Sequence, residues 1–191
     1  LKGSWSLLPL CMRNEPGRPI VTIFSVMLEK GKASVLMDTK PVSRRGFDCE
    51  EVSKVHVFPF IGALAFVSGQ SLAMYHAVDV INRRRFQSYD DLITDYVDVF
   101  HDIQGKLEDE IQALCDHDTE GRLRTYVQTE DFADFELTVI GFSQERKTMI
   151  ASVMAEYLDF EPLEFVADPV HCFGRDNEAP LECVKAMGRL P

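Results

Sequence analysis

Basic residues are in short supply. The chain carries 20 Lys and Arg against 31 Asp and Glu, a formal net charge of -11. A nucleic-acid groove or an anionic membrane surface requires clustered cations, so neither is an expected partner. The one basic run, Arg83-Arg84-Arg85, reads as cations gathered at a helix C-terminus. No apolar run reaches the roughly 18 residues of a membrane-spanning helix. Cysteine is sparse and odd in number: Cys11, Cys49, Cys115, Cys172 and Cys183. None is spaced from another like a zinc or redox pair. That leaves reduced, mostly buried thiols in a cytoplasmic protein. Repeats and low-complexity segments are absent. Leu7–Cys11 is too short for a signal segment, and Leu10 is not the small residue that a cleavage site wants. The chain opens on Leu1 rather than Met, so its true start is expected upstream.

What is present is apolar fabric. The 191 residues are 46% hydrophobic, enough for one substantial core. Residues 1–19, with Gly3, Pro9, Pro16, Gly17 and Pro19, read as an irregular arm, and residues 20–191 as a single domain. The domain opens with strands over Val21–Leu28 and Ala33–Asp38, turning at Glu29–Lys32, with Gly31 supplying permissive backbone. Residues 41–51 form a loop. A second pair runs over Lys54–Pro59 and Ile61–Gly69, with its turn or edge at Phe58-Pro59-Phe60. These strands are apolar on both faces and so need cover on both sides.

Helical periodicity follows. Met74, Ala77, Val78 and Ile81 form one stripe over about 71–84. A longer helix is predicted from Ser88 to about Cys115. Its buried side is Ile93, Tyr96, Val97, Phe100, Ile103, Leu107, Ile111 and Leu114. Ser88 to Asp91 resembles a capping box with Asp in place of Glu, which weakens one reciprocal bond. Residues 125–134 are a polar connection. Glu136–Phe142 and Thr148–Met154 make a further hairpin, with short strands at 163–166 and 171–173. A third helix starts near Asn177, with Pro180 early and Gly188 near its end. Strands, two helices, strands, then a helix is the order of an α+β fold.

Three polar residues interrupt the opening strands: Thr22, Asp38 and Lys54. Asp38 lies sixteen positions after Thr22, and Lys54 sixteen positions after Asp38. A threonine hydroxyl becomes a competent nucleophile when its own free amine takes the proton. A lysine ammonium nearby lowers that amine's pKa, and an aspartate holds the lysine.

At these positions the chain resembles the proteasome β-subunit family of N-terminal-nucleophile hydrolases, including the bacterial proteasome-like ring proteases. Val21–Val26 looks like their first strand, and Met37-Asp38-Thr39-Lys40 like their Asp-containing second strand. Lys54-Val55 looks like the catalytic-lysine strand, and Ala65–Gly69 like the substrate-binding strand before their first helix. The resemblance spans about 20–96 well and the 136–154 hairpin loosely. It implies a four-layer αββα sandwich with two antiparallel sheets between helical layers. It also implies a ring-like homo-oligomer and a peptide or small amide as substrate. Thr22 is then the nucleophile, Lys54 the amine-tuning group, Asp38 its orienting partner and Gly69 the oxyanion donor, without metal or organic cofactor.

Two alignments of the first strand stay open. A gap-free count from Asp38 places Thr22 at the nucleophile position. Matching the side-chain pattern places Val21 there, and Val21 has no nucleophilic atom. Catalysis requires cleavage before Thr22; without it the same fold is a silent ring subunit. A small-molecule amidase is a third reading. The family's last supporting Asp and Ser are expected beyond Pro191. Asp116-His117-Asp118 reads as a solvated helix stop rather than a metal site. His101-Asp102 reads as surface. Cys11 is a weaker candidate N-terminal nucleophile, since no strand follows it.

Overall fold

The computed structural model describes residues 24–37, 55–70, 72–119, 135–167 and 170–174. They form β1 (Phe24–Glu29), β2 (Lys32–Met37), β3 (Val55–Phe58), β4 (Ala63–Gly69), α1 (Leu72–Arg84), α2 (Tyr89–Thr94) and α3 (Tyr96–His117). There follow β5 (Phe135–Ser143), β6 (Thr148–Ala155), a 3-10 turn (Glu156–Leu158), β7 (Leu163–Val166) and β8 (Val170–Gly174). The expected arm at 1–19, the 41–51 loop, the 125–134 connection and the helix near Asn177 lie outside the described residues.

Two sheets result, ordered β2-β1-β8 and β3-β4-β5-β6-β7. β1 runs antiparallel to both its neighbours, and β3 antiparallel to β4. Hairpins flank a contiguous block of helices, which is the α+β arrangement read from the sequence. Two compact units divide the chain: Leu1–Lys54 with Ile140–Ala151 and Glu164–Pro191, and Val55–Val139 with Ser152–Leu163.

In the first unit, β1 alternates as a sheet strand should, with Phe24, Val26 and Leu28 buried. Its hairpin closes where Glu29 pairs with Lys32, leaving Lys30 and Gly31 as the turn. Gly31 does not take the left-handed backbone; among the described glycines that falls to Gly62 and Gly69. In the same unit Thr148 Oγ1 donates to Ala167 O at 3.0 Å, and Ala167 N to Met149 O at 3.1 Å.

In the second unit, the β3–β4 turn is closed by Ile61 N–H on Phe58 O at 3.2 Å and Gly62 N–H on Pro59 O at 3.4 Å. Gly62 takes φ +64°, a conformation cheap only without a Cβ. β5 shows no alternation: Phe135 through Ile140 are all buried. A strand buried on both faces is covered on both faces. One cover is helical. Phe100 of α3 stacks on Phe135 with ring centroids 4.5 Å apart. Ala73, Ala77, Val80 and Ile81 of α1 are buried, as are Val99, Ile103, Leu107 and Ile111 of α3.

The long helix predicted from Ser88 is in fact two, broken at Asp95. Thr94 Oγ1 donates back to Asp90 O at 2.9 Å, a bond that bends helices by competing with the backbone ladder. Ser88 caps α2 by accepting Asp91 N–H at 3.1 Å. The reciprocal bond is displaced by one residue, because Asp91 Oδ2 accepts Gln87 N–H at 3.0 Å. The expected stripe holds at Tyr96, Phe100, Ile103, Leu107 and Ile111, all buried. It differs at its margins: Tyr89, Leu92 and Val99 are buried, while Val97 and Leu114 are exposed.

The polar tips of that face are satisfied inside the core. Tyr89 Oη lies 2.9 Å from Ser152 Oγ. Tyr96 Oη lies 2.7 Å from Leu137 O and 3.0 Å from Ser152 O, one proton serving two carbonyls. Burial, then Tyr89, then Glu136 hold the Tyr96 phenol well above its ordinary 10.0. The native state thus keeps this proton to higher pH than the unfolded chain does. Its contribution is whole below pH 10.0 and is lost as pH rises through the native value.

Two outcomes follow for stability. Tyr96→Phe lowers the unfolding free energy by about 1–3 kcal/mol, measured by urea titration, and flattens the loss of stability on the alkaline side. Gly105 sits exposed inside α3, and a Cβ there meets no atom within 4 Å. Gly105→Ala raises stability by about 0.5–1 kcal/mol in the same assay.

Candidate functional site

Thr22, Asp38 and Lys54 lie outside the described residues. The described part of the β1–β2 ladder begins where Phe24 pairs with Met37. Lys54 immediately precedes Val55, the first residue of β3.

Gly69, the expected oxyanion donor, ends β4 with φ +100°. That backbone is rare for any residue with a Cβ. It permits an abrupt passage from strand to helix. Gln70 follows, and its side-chain Oε1 accepts Leu72 N–H at 3.3 Å. Its carbonyl accepts Ala73 N–H at 3.2 Å. The first turn of α1 therefore opens directly behind the strand end, where free N–H groups and the helix dipole favour negative charge. Ser68, just before, is buried.

The remaining expectations sort cleanly. Arg83 Nε pairs with Asp79 Oδ1 at 2.7 Å, and Arg84 Nη2 with Asp102 Oδ2 at 2.7 Å. The basic run thus ends α1, as read from the sequence, and Asp102 is tied to it. His101 lies at the surface against Phe160, with ring centroids 4.5 Å apart. His117 Nδ1 lies 2.7 Å from Ala113 O on its own helix. Cys115 is a buried free thiol. Cys11, Cys49 and Cys183 lie outside the described residues.

Sequence reasoning missed the buried polar set. Ser68, Glu136, Thr138, Ser143 and Ser152 are all buried. Tyr96 on an apolar helix face was a usable signal, since a buried phenol seeks a partner. Ser152, between Ala151 and Val153, gave none. Gly69→Ala is expected to cost about 1–3 kcal/mol, because a Cβ strains this backbone. The thermal midpoint falls accordingly, whereas Gly31→Ala, at an open turn position without left-handed φ, leaves it nearly unchanged.

A comparison with protein-family models finds no match, and a comparison with curated proteins finds none either. Among solved structures the chain is similar to Anbu (ancestral beta-subunit) from Yersinia bercovieri. The TM-score is 0.50 and the identity 9%, over 87% of this chain and 66% of that one. At such identity the likeness speaks for the backbone path alone. The fold is α+β with the backbone path of that proteasome-like protein, in agreement with the resemblance carried by the opening strands.

Proposed function

We propose that the chain is a proteasome-like subunit of a ring-like homo-oligomer. Its threonine-type amide hydrolysis begins when Thr22 is freed by processing. The observation that carries this reading is the coincidence of a proteasome-like backbone path with the sequence order Thr22, Asp38, Lys54, Gly69.

In this reading cleavage between Val21 and Thr22 exposes an α-amine. The amine removes the proton from Thr22 Oγ, which attacks the carbonyl carbon of an amide. Backbone N–H near Gly69 receives the negative charge that develops on the carbonyl oxygen. The tetrahedral species collapses, the leaving amine takes the proton, and an ester on Thr22 remains. Water then hydrolyses the ester with the α-amine again as base. Lys54 lowers the α-amine's pKa by like-charge repulsion, and Asp38 fixes Lys54. Peptides and small amides both satisfy this chemistry, and a cytoplasmic location suits reduced cysteines.

A silent subunit on the same fold is the second reading. It is favoured by the side-chain alignment that places Val21, without a nucleophilic atom, at the reacting position. Intact mass of the assembled protein and turnover of peptide and small-amide substrates separate the two. A chain beginning at Thr22, with turnover lost about 10³-fold or more in Thr22→Ala, is the expected result. An intact Val21–Thr22 bond in a particle without turnover assigns the silent role.

A further inference from the structure

Around the C-terminal end of α1 the surface changes character. Phe60, in the β3–β4 turn, is 51% exposed, and Tyr75 on α1 is 71% exposed. Tyr75 and Asn82 are seven residues apart, which is two helical turns, so they share one face about 10 Å long. Asn82, Arg85 and Gln87 line an open cleft of about 290 Å³ together with Phe60. That is at or below the small end of small-molecule pockets, roughly 300–1,000 Å³, and it is too open to enclose a ligand. An exposed aromatic beside one arginine, with amides at the rim and Tyr75 further along the Asn82 face, has the composition of a protein–protein contact.

Arg85 is the unusual member. It follows the last residue of α1 with φ +55°, in the left-handed position where glycine is the usual helix stop. Three other non-glycine residues share such φ values. Phe160 uses its ring against Phe100 and His101. Asp159 is of a type that tolerates this backbone, and Lys147 closes the β5–β6 hairpin. Arg83 and Arg84 are both ion-paired. The Arg85 guanidinium pairs with no described residue, and only its carbonyl is used, accepting Gln87 Nε2–H at 2.8 Å. A side chain kept at a strained position without a partner among the described residues is available for one elsewhere.

We propose that the face formed by Tyr75, Asn82, Arg85 and Phe60 is a contact between copies of this chain, with Arg85 docking on a carboxylate of the neighbour. This rests on the homo-oligomer reading above. Charge complementarity selects a second copy. The chain has a net charge of -11, and on the outer side of α3 Glu108 and Asp109 are exposed with no partner among the described residues. A cationic patch on one face meeting acids on another is a head-to-tail contact, the type that closes rings.

Arg85→Gly tests this without endangering the fold, since glycine relieves the left-handed strain. Sedimentation velocity over a concentration series reads the assembly, and thermal melting of the same samples reads the fold. The expected result is an unchanged or raised melting temperature and a dissociation constant at least ~10-fold higher, with Arg85→Glu weaker still. Glu108→Arg combined with Arg85→Glu is the rescue arm. A wild-type oligomer whose dissociation is unmoved by Arg85→Gly and by Phe60→Ser overturns this face while the assembly stands. A wild-type chain that stays monomeric at high concentration removes the assembly reading and this contact with it.

Discussion

Burial of β5 on both faces is the constraint from which the second unit follows. A strand with Phe135 through Ile140 all inside has no water for its backbone. Each carbonyl must find a donor within the protein. The Tyr96 hydroxyl, from a helix lying on the sheet, meets one of them, Leu137 O, together with Ser152 O of β6. Tyr89 reaches the hydroxyl of the same serine. Two phenols seven residues apart thus converge on one residue of β6, and a covering helix becomes a fixed one. The apolar stack of Phe100 on Phe135 supplies the burial that these hydrogen bonds then orient.

The bend at Asp95 belongs to the same arrangement. A short polar pair, Thr94-Asp95, interrupts the helical ladder where the Thr94 hydroxyl turns back on Asp90 O. Tyr89 and Tyr96, seven residues and about two turns apart, keep one face across the interruption and both enter the core. Ion pairs between α1 and α3 then trim the outer surface: Arg84 with Asp102, Lys106 with Asp79, and His76 Nε2 with Glu110 Oε2 at 2.7 Å. All are partly exposed, so each contributes at most about 1 kcal/mol, and the alanines and branched residues of the seam carry the packing.

Much of this was legible in the residues. Hairpins at Glu29–Lys32 and Gln144–Lys147 were marked by polar turns between apolar runs, and α1 by its period. The end of β4 was marked by Gly69, whose φ of +100° no other residue adopts cheaply. The helix break was not legible, because the period of the apolar stripe barely changes across it and a threonine back-bond leaves no pattern. Burial of Val99 in place of Val97 is a miss at the margin of the stripe, whose centre at Tyr96, Phe100, Ile103, Leu107 and Ile111 was read correctly. Nor does a period locate buried polar groups. Glu136 looked like the edge of a strand, and it is 3% exposed. Of the candidate site, only Gly69 lies among the described residues.

Left-handed backbone separates two kinds of corner in this fold. At Gly62 and Gly69 the chain reverses or leaves a strand with a residue that brings nothing but conformational freedom. At Phe160 the cost of the same backbone is offset by a ring packed on two others. Arg85 fits neither kind among the described residues. It ends α1 where glycine would end it more cheaply, and it projects a guanidinium beside an exposed phenylalanine. A chain with an excess of acids has little to gain from an unpaired cation unless that cation meets one of those acids. When the acid lies on the next copy, the residue that stops a helix in one protomer also sets the register between protomers.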